Sequence, residues 1–341
     1  MSKEKYIQEL EDALEKSNYS FAESLACIRY ASNLLNSEFP VIFDRIHLSL
    51  LLGIKPSNLS ALIYSTDSYC YHELRLSKKD GGTRVINIPS VNLKYIQRWI
   101  LDNILSKMRI SEFANGFCPG KSILTNAVPH IGKECVINLD IKDFFPSISM
   151  DRVFMLFKYY GYTKEVSFAL AKICTYKGIL PQGSPASPAI TNALCLKLDK
   201  RLSGLAKSYN GVYSRYADDL TFSGKKNITQ LMPIAIKIIE DEGFCINERK
   251  THIAFSHERQ EVTGLLVNEG GVKVSQKYKK RLRQEIYYCQ KFGVSDHQQH
   301  CDENFQFYKE HLYGKAYFIS MVEPDIGNRF LEALDNIVWE Y

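Results

Sequence analysis

The sequence predicts an α+β protein, and three observations support that fold class. Apolar residues recur at helical spacing within residues 1–70 and again from about residue 275 onward. Segment 135–141 is a largely apolar run with the length of one buried strand. Residues 212–223 place aromatic and β-branched residues on both sides of a polar centre, as in a β-hairpin. The 341 residues are enough for two or three subdomains with ample core.

Residues 1–70 predict a helical N-terminal extension. Gly53 ends one helix, and either Ser57 or Asn58 caps the next. This pair is spaced like a DNA-binding helix-turn-helix, but its second helix offers only short polar side chains to a groove. We therefore interpret the pair as a packing element.

Residues 71–89 predict a β-hairpin and the segment after it predicts a helix. Two extended runs flank a turn in which Gly81 and Gly82 supply the positive φ angles that tight hairpins need. Apolar residues at helical spacing then predict a helix over about residues 91–107.

Asp218 and Asp219 are adjacent carboxylates at the predicted tip of the 212–223 hairpin. Like charges side by side raise each other's pKa unless a positive charge lies between them. A divalent cation supplies that charge, and carboxylate oxygens suit Mg²⁺ or Mn²⁺. A solvated Asp-Asp turn is common, and it is the favoured explanation for the pair taken alone.

Asp140 interrupts the apolar strand 78 residues before Asp218. A charge in a core strand needs a cation, a hydrogen-bond network or the end of the strand. If the fold brings Asp140 beside Asp218 and Asp219, the three can hold two metal ions about 3.5–4 Å apart. Such a pair activates an attacking hydroxyl and stabilises charge on the phosphorus and on the departing pyrophosphate.

Three segments resemble successive polymerase motifs of reverse transcriptases in residues, order and spacing. They are Asn-Leu-Asp-Ile-Lys-Asp-Phe-Phe-Pro-Ser-Ile at 138–148, Leu-Pro-Gln-Gly-Ser-Pro-Ala-Ser-Pro at 180–188 and Tyr-Ala-Asp-Asp at 216–219. Segment 243–251 resembles the following palm motif, and segment 262–265 resembles the one after it. Any one of these could arise by chance, whereas together they are a highly specific signal.

Two further elements resemble those of the bacterial retron enzymes. Asn-Ala-Val-Pro-His at 126–130 matches their Asn-Ala-x-x-His element, and Val-Thr-Gly at 262–264 matches their Val-Thr-Gly element. The resemblance extends from about Leu74 to about Ala333. It implies a right-hand polymerase fold made of fingers, a palm with a split βαβ antiparallel sheet, and a helical thumb. The implied regions are an N-terminal extension at 1–70, fingers at 71–134, a palm at 135–268 with a fingers insertion around 150–190, and an RNA-binding thumb at 269–341.

The resemblance implies that Asp140, Asp218 and Asp219 are the catalytic residues. With the backbone carbonyl of Ile141, they would hold two Mg²⁺ ions, for which Mn²⁺ is a substitute. Asp140 and Asp218 would bridge both ions, and Asp219 would be more peripheral.

Five residues are implied to bind the incoming nucleotide. Arg84 would grip its phosphates with Lys79 beside it, and Phe145 would exclude a ribose 2′-OH by its bulk. Gln182 would hydrogen-bond the sugar, and Lys250 would protonate or neutralise the pyrophosphate. Structural alternatives stay open: a soluble turn for Lys79, a core aromatic for Phe145 and a surface lysine for Lys250.

Two sets of residues are candidates for RNA contact. Asn126 and His130 would lie on a loop, because Pro129 disfavours a regular helix there, although a purely structural histidine is an equal alternative. Residues 271–284 carry six basic side chains and no acid. Such a stripe can follow a phosphate backbone, with a solvated helix face as its alternative. Its candidate RNA contacts are Lys277, Lys280, Arg281 and Arg283.

Composition adds limits on location and partners. The net charge of +5 is mild, and the nine cysteines lack the paired spacing of a zinc ribbon or disulfide framework. The histidines also lack a zinc-ligand pattern. No apolar run approaches 18 residues, and the N-terminus has no signal-peptide core. We expect a cytoplasmic protein without membrane contact.

The function implied by the resemblance is RNA-directed DNA synthesis of the retron type. The enzyme would use dNTPs to copy a structured non-coding RNA into single-stranded DNA (msDNA), primed from an RNA 2′-OH, and would serve antiphage defence with a separate effector protein. One alternative is a group II intron, diversity-generating or abortive-infection reverse transcriptase, although 341 residues leave no room for intron-type maturase or endonuclease segments. Another is a non-catalytic nucleic-acid-binding scaffold with a helix-turn-helix-like N-terminus, against which the intact set of three aspartates argues.

Overall fold

The computed structural model of the chain describes residues 2–17, 19–64, 70–77, 82–300 and 307–339. Within them, helices combined with small antiparallel sheets confirm the predicted α+β class. The chain forms two compact units. The first comprises residues 1–112, 142–200 and 241–244, and the second comprises residues 113–141, 201–240 and 245–341. The boundaries of fingers, palm and thumb stay a prediction.

The N-terminal region is helical, as predicted. Its helices are α1 (Lys3–Glu15), α2 (Phe21–Asn36), α3 (Arg45–Leu51) and α4 (Pro56–Tyr64). The predicted cap of α4 is wrong, because Pro56 is already helical and its fixed φ suits a first turn. Among the described residues, no single helix is long and apolar enough to cross a membrane, and α3 and α4 pass that test only together, across a 113° bend.

Both strands of the predicted hairpin are present, and Gly81 of its predicted turn lies outside the described residues. Strands β1 (Tyr71–Ser77) and β2 (Thr83–Pro89) pair antiparallel from Tyr71 opposite Pro89 to Ser77 opposite Thr83. Helix α5 (Val91–Asn103) ends earlier than predicted, because the chain tightens into a separate 3₁₀ turn at residues 105–107.

The middle of the chain contributes one strand and five helices. They are α6 (Ile123–Ala127), β3 (Cys135–Asp140), α7 (Met150–Tyr159), α8 (Lys164–Cys174), α9 (Ser187–Leu194) and α10 (Leu196–Ser208). The side chains of Ser149 and Thr163 accept hydrogen bonds from the first turns of α7 and α8. These caps satisfy backbone N–H groups that have no partner inside a helix.

A four-stranded antiparallel sheet positions the acidic residues. Strands β4 (Val212–Tyr216), β5 (Asp219–Gly224) and β6 (His252–Phe255) join β3 in the order β4-β5-β3-β6. Apolar side chains of the two central strands, such as Ile137 and Phe222, are fully buried. Helix α11 (Met232–Asp241) follows β5 after a stretch of 3₁₀ turns at residues 226–231.

The C-terminal part is helical after one short hairpin. Its elements are β7 (Glu261–Val262), β8 (Leu265–Leu266), α12 (Gln276–Phe292), α13 (Val294–His300), α14 (Tyr308–Val322) and α15 (Pro324–Asp335). Two ion pairs with little solvent access connect these helices. Lys279 pairs with Glu323 at 2.9 Å, and Lys315 pairs with Glu285 at 2.7 Å.

Candidate active site

Strands β3 and β5 bring the three predicted carboxylates to one end of the sheet. Asp140 is the last residue of β3 and lies directly opposite Asp219, the first residue of β5. Residues that face each other in antiparallel strands have Cα atoms about 4.5–5.5 Å apart. The backbone amide of Ile141 donates to the carbonyl of Asp218 at 3.0 Å. Residues 79 and 77 positions apart in the sequence are therefore neighbours in the fold.

Ala217 and Asp218 form the two-residue turn between β4 and β5. Ala217 has a φ of +57°, in the left-handed region that residues with a Cβ rarely occupy. Such a residue costs about 1–2 kcal/mol relative to ordinary backbone. Strain of this kind persists only where surrounding contacts hold it, and it is common at functional sites.

Asp140 is nearly buried, and a hydrogen-bond network satisfies its charge. One carboxylate oxygen accepts from the Asn247 side chain at 3.0 Å, and the other accepts from the Lys250 ammonium at 2.8 Å. The Asp140 carbonyl also accepts from the Asn247 amide at 2.8 Å. The hydrogen bond to Asp140 raises the pKa of Lys250, so this lysine stays charged. Asn247 was not identified from the sequence, although it lies inside the 243–251 motif.

Asp219 carries the excess negative charge of the site. Desolvation by neighbouring protein atoms, followed by the charges of Asp218 and Asp140, raises the pKa of the Asp219 carboxyl to about 6. The Asp219 residue also reaches solvent, which screens part of this repulsion. The charges of all three carboxylates act on the Lys250 ammonium and help to raise its pKa.

The donor set of this site fits divalent cations. Carboxylate oxygens are hard ligands of the kind that Mg²⁺ and Mn²⁺ prefer. In the part of the chain that the structure describes, no three acidic, histidine or cysteine side chains already enclose a cation position. The Asp140 oxygens instead face Lys250 and Asn247, and the Lys250 side chain is 54% exposed, so it can move without opening the core. The role of the Ile141 carbonyl as a ligand stays a prediction.

A cleft of about 410 Å³ opens beside Asp219. Its lining includes Lys250, Thr221 and His252 from the sheet region and Thr263 from the β7–β8 turn. Thr263 and the next residue, Gly264, both have positive φ, which lets this turn reverse within two residues. The cleft is large enough for a nucleotide-sized group next to the carboxylates.

The other predicted nucleotide-binding residues lie in the first unit. Arg84 is exposed on β2, and Phe145 is half-buried with its ring 5.6 Å from that of Phe144. The carbonyl of Gln182 accepts from the Asn87 amide of β2 at 2.7 Å, which ties this loop to the hairpin. Lys79 lies outside the described residues.

Gln97 is a buried residue of the first unit that sequence reasoning missed. Its side-chain nitrogen donates to the Tyr71 hydroxyl at 2.7 Å, and its side-chain oxygen accepts from Ser184 at 2.8 Å. It therefore connects the base of the hairpin to the loop that holds Gln182. A polar residue on the apolar face of a predicted helix was the available signal, because buried polar groups need partners.

Asn126 and His130 are fully buried, so the prediction that they contact RNA directly is wrong. Pro129 does end the regular helix, as predicted, and residues 128–130 form a 3₁₀ turn after α6. The two ring nitrogens of His130 bond to Ser223 at 2.6 Å and to Ser214 at 2.8 Å. Burial lowers the pKa of His130 to about 3, so the ring is neutral. The alternative of a structural histidine is the one observed.

The four predicted RNA contacts of the basic stripe are exposed on α12. Lys277 and Lys280 face solvent, Arg281 bonds to Glu285 at 3.1 Å, and Arg283 lies over the Phe330 ring at 5.8 Å. Their role in RNA binding stays a prediction.

Comparison with known proteins defines the class. Residues 76–281 match the family described as reverse transcriptase (RNA-dependent DNA polymerase). This segment contains all three aspartates, and the protein is by class an RNA-directed DNA polymerase.

Individual relatives show to which group of reverse transcriptases the chain belongs. The chain is 36% identical to the Retron Ec86 reverse transcriptase of Escherichia coli over 312 residues, which cover 90% of this chain and 93% of that one. It is 38% identical to the Retron Mx162 reverse transcriptase of Myxococcus xanthus over 85% of this chain and 66% of that one. A solved foamy viral protease-reverse transcriptase in complex with double-stranded DNA aligns at 15% identity with a TM-score of 0.41, over 97% of this chain and 60% of that one. The chain belongs to the retron reverse transcriptases.

Proposed function

We propose that the protein copies a structured non-coding RNA into single-stranded DNA (msDNA), with an RNA 2′-OH as primer. The observation that carries the proposal is the pairing of Asp140 with Asp219 across β3 and β5, with Asp218 in the adjoining turn. The names of the relatives in Escherichia coli and Myxococcus xanthus support the retron type. No residue geometry distinguishes the priming mode, so this part of the proposal relies on the family.

The chemistry takes place at the three carboxylates. Asp140, Asp218, Asp219 and the Ile141 carbonyl would hold two Mg²⁺ ions, or Mn²⁺ in their place. Bound cations of this kind lower the pKa of the attacking hydroxyl and stabilise negative charge on the phosphorus and the leaving group. Lys250, which contacts the Asp140 carboxylate in this structure, would supply positive charge for the pyrophosphate.

The first unit supplies nucleotide selection. Arg84 grips the phosphates as a planar fork, with Lys79 as an additional point charge. Gln182 hydrogen-bonds the sugar from a loop whose backbone is fixed to β2. The half-buried ring of Phe145 excludes a 2′-OH, so dNTPs are used in preference to rNTPs.

The RNA is held through its backbone by the exposed cations of α12. Lys277, Lys280, Arg281 and Arg283 recognise phosphates and the shape of the RNA more than its sequence. We propose that the enzyme works in the cytoplasm, where dNTPs and newly made RNA meet. The msDNA then acts in antiphage defence through a separate effector protein.

Sequencing the nucleic acid that co-purifies with the protein tests this function. We expect a short RNA joined covalently to single-stranded DNA. The double variant D218A/D219A should carry the RNA without DNA, because the chemistry is lost and the α12 contacts are retained. A matched control replaces two exposed aspartates of α1 and α7, Asp12 and Asp151, and should retain the hybrid. Wild-type protein that carries RNA and DNA without a covalent junction would contradict the retron reading.

A further inference from the structure

We propose that Arg215 is a positioning residue of the active site. Its buried guanidinium holds the Ala217 carbonyl and thereby fixes the direction in which the Asp218 carboxylate points. The proposal rests on the function proposed above, since it assumes that Asp218 takes part in catalysis.

Arg215 is an unusual residue for its place in the sheet. It lies in β4, two residues before Ala217, and its side chain is 0% exposed, the largest among the fully buried ones. A buried guanidinium is costly unless its N–H groups have well-placed acceptors. Its Nη1 donates to the carbonyl oxygen of Ala217 at 3.2 Å. The side chain therefore curls back beneath the turn that carries the catalytic pair.

This hydrogen bond acts on Asp218 through the peptide plane. The Ala217 carbonyl and the Asp218 nitrogen belong to one planar unit, so holding the carbonyl orients the N–Cα bond of Asp218. On its other side, the Asp218 carbonyl accepts from the Ile141 amide at 3.0 Å. Both peptide planes that flank the Asp218 Cα are thus hydrogen-bonded, which fixes the position from which its carboxylate projects.

The left-handed backbone of Ala217 explains why such support is needed. A φ of +57° is what a two-residue hairpin turn requires of its first residue, and without the bond to its carbonyl only the strand pairing would oppose relaxation of this strained conformation. Relaxation would rotate the peptide and carry the Asp218 carboxylate away from Asp140. Displacement by about 1 Å at a reacting centre can cost about a hundredfold in rate.

A neighbouring segment closes the turn from behind. The Arg215 amide donates to the Phe113 carbonyl at 2.9 Å, and the Asn115 amide donates to the Arg215 carbonyl at 2.7 Å. Gly116 follows immediately, and a Cβ added there would come within 2.6 Å of the Ala217 nitrogen. Gly116 leaves space for the turn, whereas Arg215 holds it.

Two variants test the proposal from these two sides. Arg215→Lys keeps the positive charge but loses the planar fork, and Gly116→Ala pushes on the turn with a methyl group. In both, we expect kcat for dNTP incorporation on an RNA template to fall at least tenfold. KM for dNTP and Kd for RNA should stay within about twofold of wild type, because neither residue is assigned a contact with them. Amide hydrogen exchange should become faster in the peptide that contains residues 217–220.

A matched control separates positioning from general loss of stability. Lys279→Met also removes a buried cation, in α12, and should lower the melting temperature while kcat per folded molecule and exchange at residues 217–220 stay at wild-type values. Wild-type kcat and exchange in Arg215→Lys would overturn the proposal. If Arg215→Lys does not fold, kcat and amide hydrogen exchange of Gly116→Ala test the proposal instead, and wild-type values of both would overturn it. An inactive Asp218→Ala beside a fully active Arg215→Lys defeats the positioning role alone, whereas an active Asp218→Ala defeats the proposed function itself.

Discussion

The end of the central sheet and the C-terminal helices handle buried charge in opposite ways. Between the helices, Lys279 is matched by Glu323 and Lys315 by Glu285. At the sheet end, the carboxylates of Asp140, Asp218 and Asp219 lie close together, and the charges of Asp218 and Asp140 add to desolvation in raising the pKa of Asp219. Balanced pairs hold elements together, whereas an imbalance costs stability and is retained where charge is needed for chemistry. The difference supports the proposal that the sheet end is the functional region of the second unit.

The largest expected effect on stability is at the balanced pairs. Glu323→Gln would leave the Lys279 ammonium buried without a carboxylate, and breaking such a pair costs about 3–5 kcal/mol. Glu323 also accepts from the Val274 amide at 2.8 Å, an interaction that Gln can preserve. Urea unfolding should therefore show a clear loss of stability, while the exposed control Glu332→Gln should be unchanged. A loss below about 1 kcal/mol would mean that the pair contributes little.

The stability of the protein should also depend on pH through His130, which bonds to serines of the β4–β5 hairpin. Its pKa is lowered to about 3 when folded, against 6.5 in the unfolded chain, so only the unfolded state binds the proton between these values. Stability is complete above pH 6.5 and should fall by about 1.4 kcal/mol per pH unit below it, until about pH 3. His130→Gln keeps groups that can bond both serines and lacks this slope. If the free energy of unfolding has the same pH dependence in wild type and His130→Gln, His130 is not a buried neutral histidine.

The smallest expected effect is a gain of stability at the unbalanced site. The folded pKa of Asp219 is above its ordinary value, so its ionised form destabilises the fold above about pH 6, and this penalty disappears as the pH falls toward 4. Asp219→Asn should stabilise the protein at pH 8 without metal by about 0.5 kcal/mol after allowance for solvent screening. Thermal unfolding in EDTA measures this, with Asp12→Asn as the neutral control. If Asp219→Asn destabilises the protein at pH 8, the ionised Asp219 carboxylate does not carry an unfavourable repulsion from its neighbours.

Much of the site could be predicted because its signals are local. Apolar runs defined β3 and the β4–β5 hairpin, and antiparallel pairing then placed Asp140 opposite Asp219. The hairpin at residues 71–89 was equally clear, because turn glycines separate two extended runs. The start of α4 at Pro56 and the end of α5 at Asn103 were less predictable, since helix boundaries depend on capping and on 3₁₀ turns.

The rest depends on contacts that no local pattern contains. Lys279 and Lys280 are adjacent in one basic stripe, yet the first is buried against Glu323 and the second faces solvent. His130 has the residue type of an RNA contact, and its burial depends on serines more than 80 positions away. The role proposed for Arg215 likewise depends on its hydrogen bond to the Ala217 carbonyl in the β4–β5 turn. The role of such a side chain depends on its tertiary neighbours, and the sequence alone does not show which residues these are.

Single-turnover incorporation of one dNTP on an RNA template by Asp140→Asn tests the central claim most directly. The substitution removes the charge of the residue that joins β3 to the site and keeps its shape and its position opposite Asp219. We expect incorporation to fall by about a thousandfold or more, with RNA affinity and fold retained. Incorporation within tenfold of wild type by a correctly folded Asp140→Asn protein would contradict the claim that these three carboxylates perform the reaction.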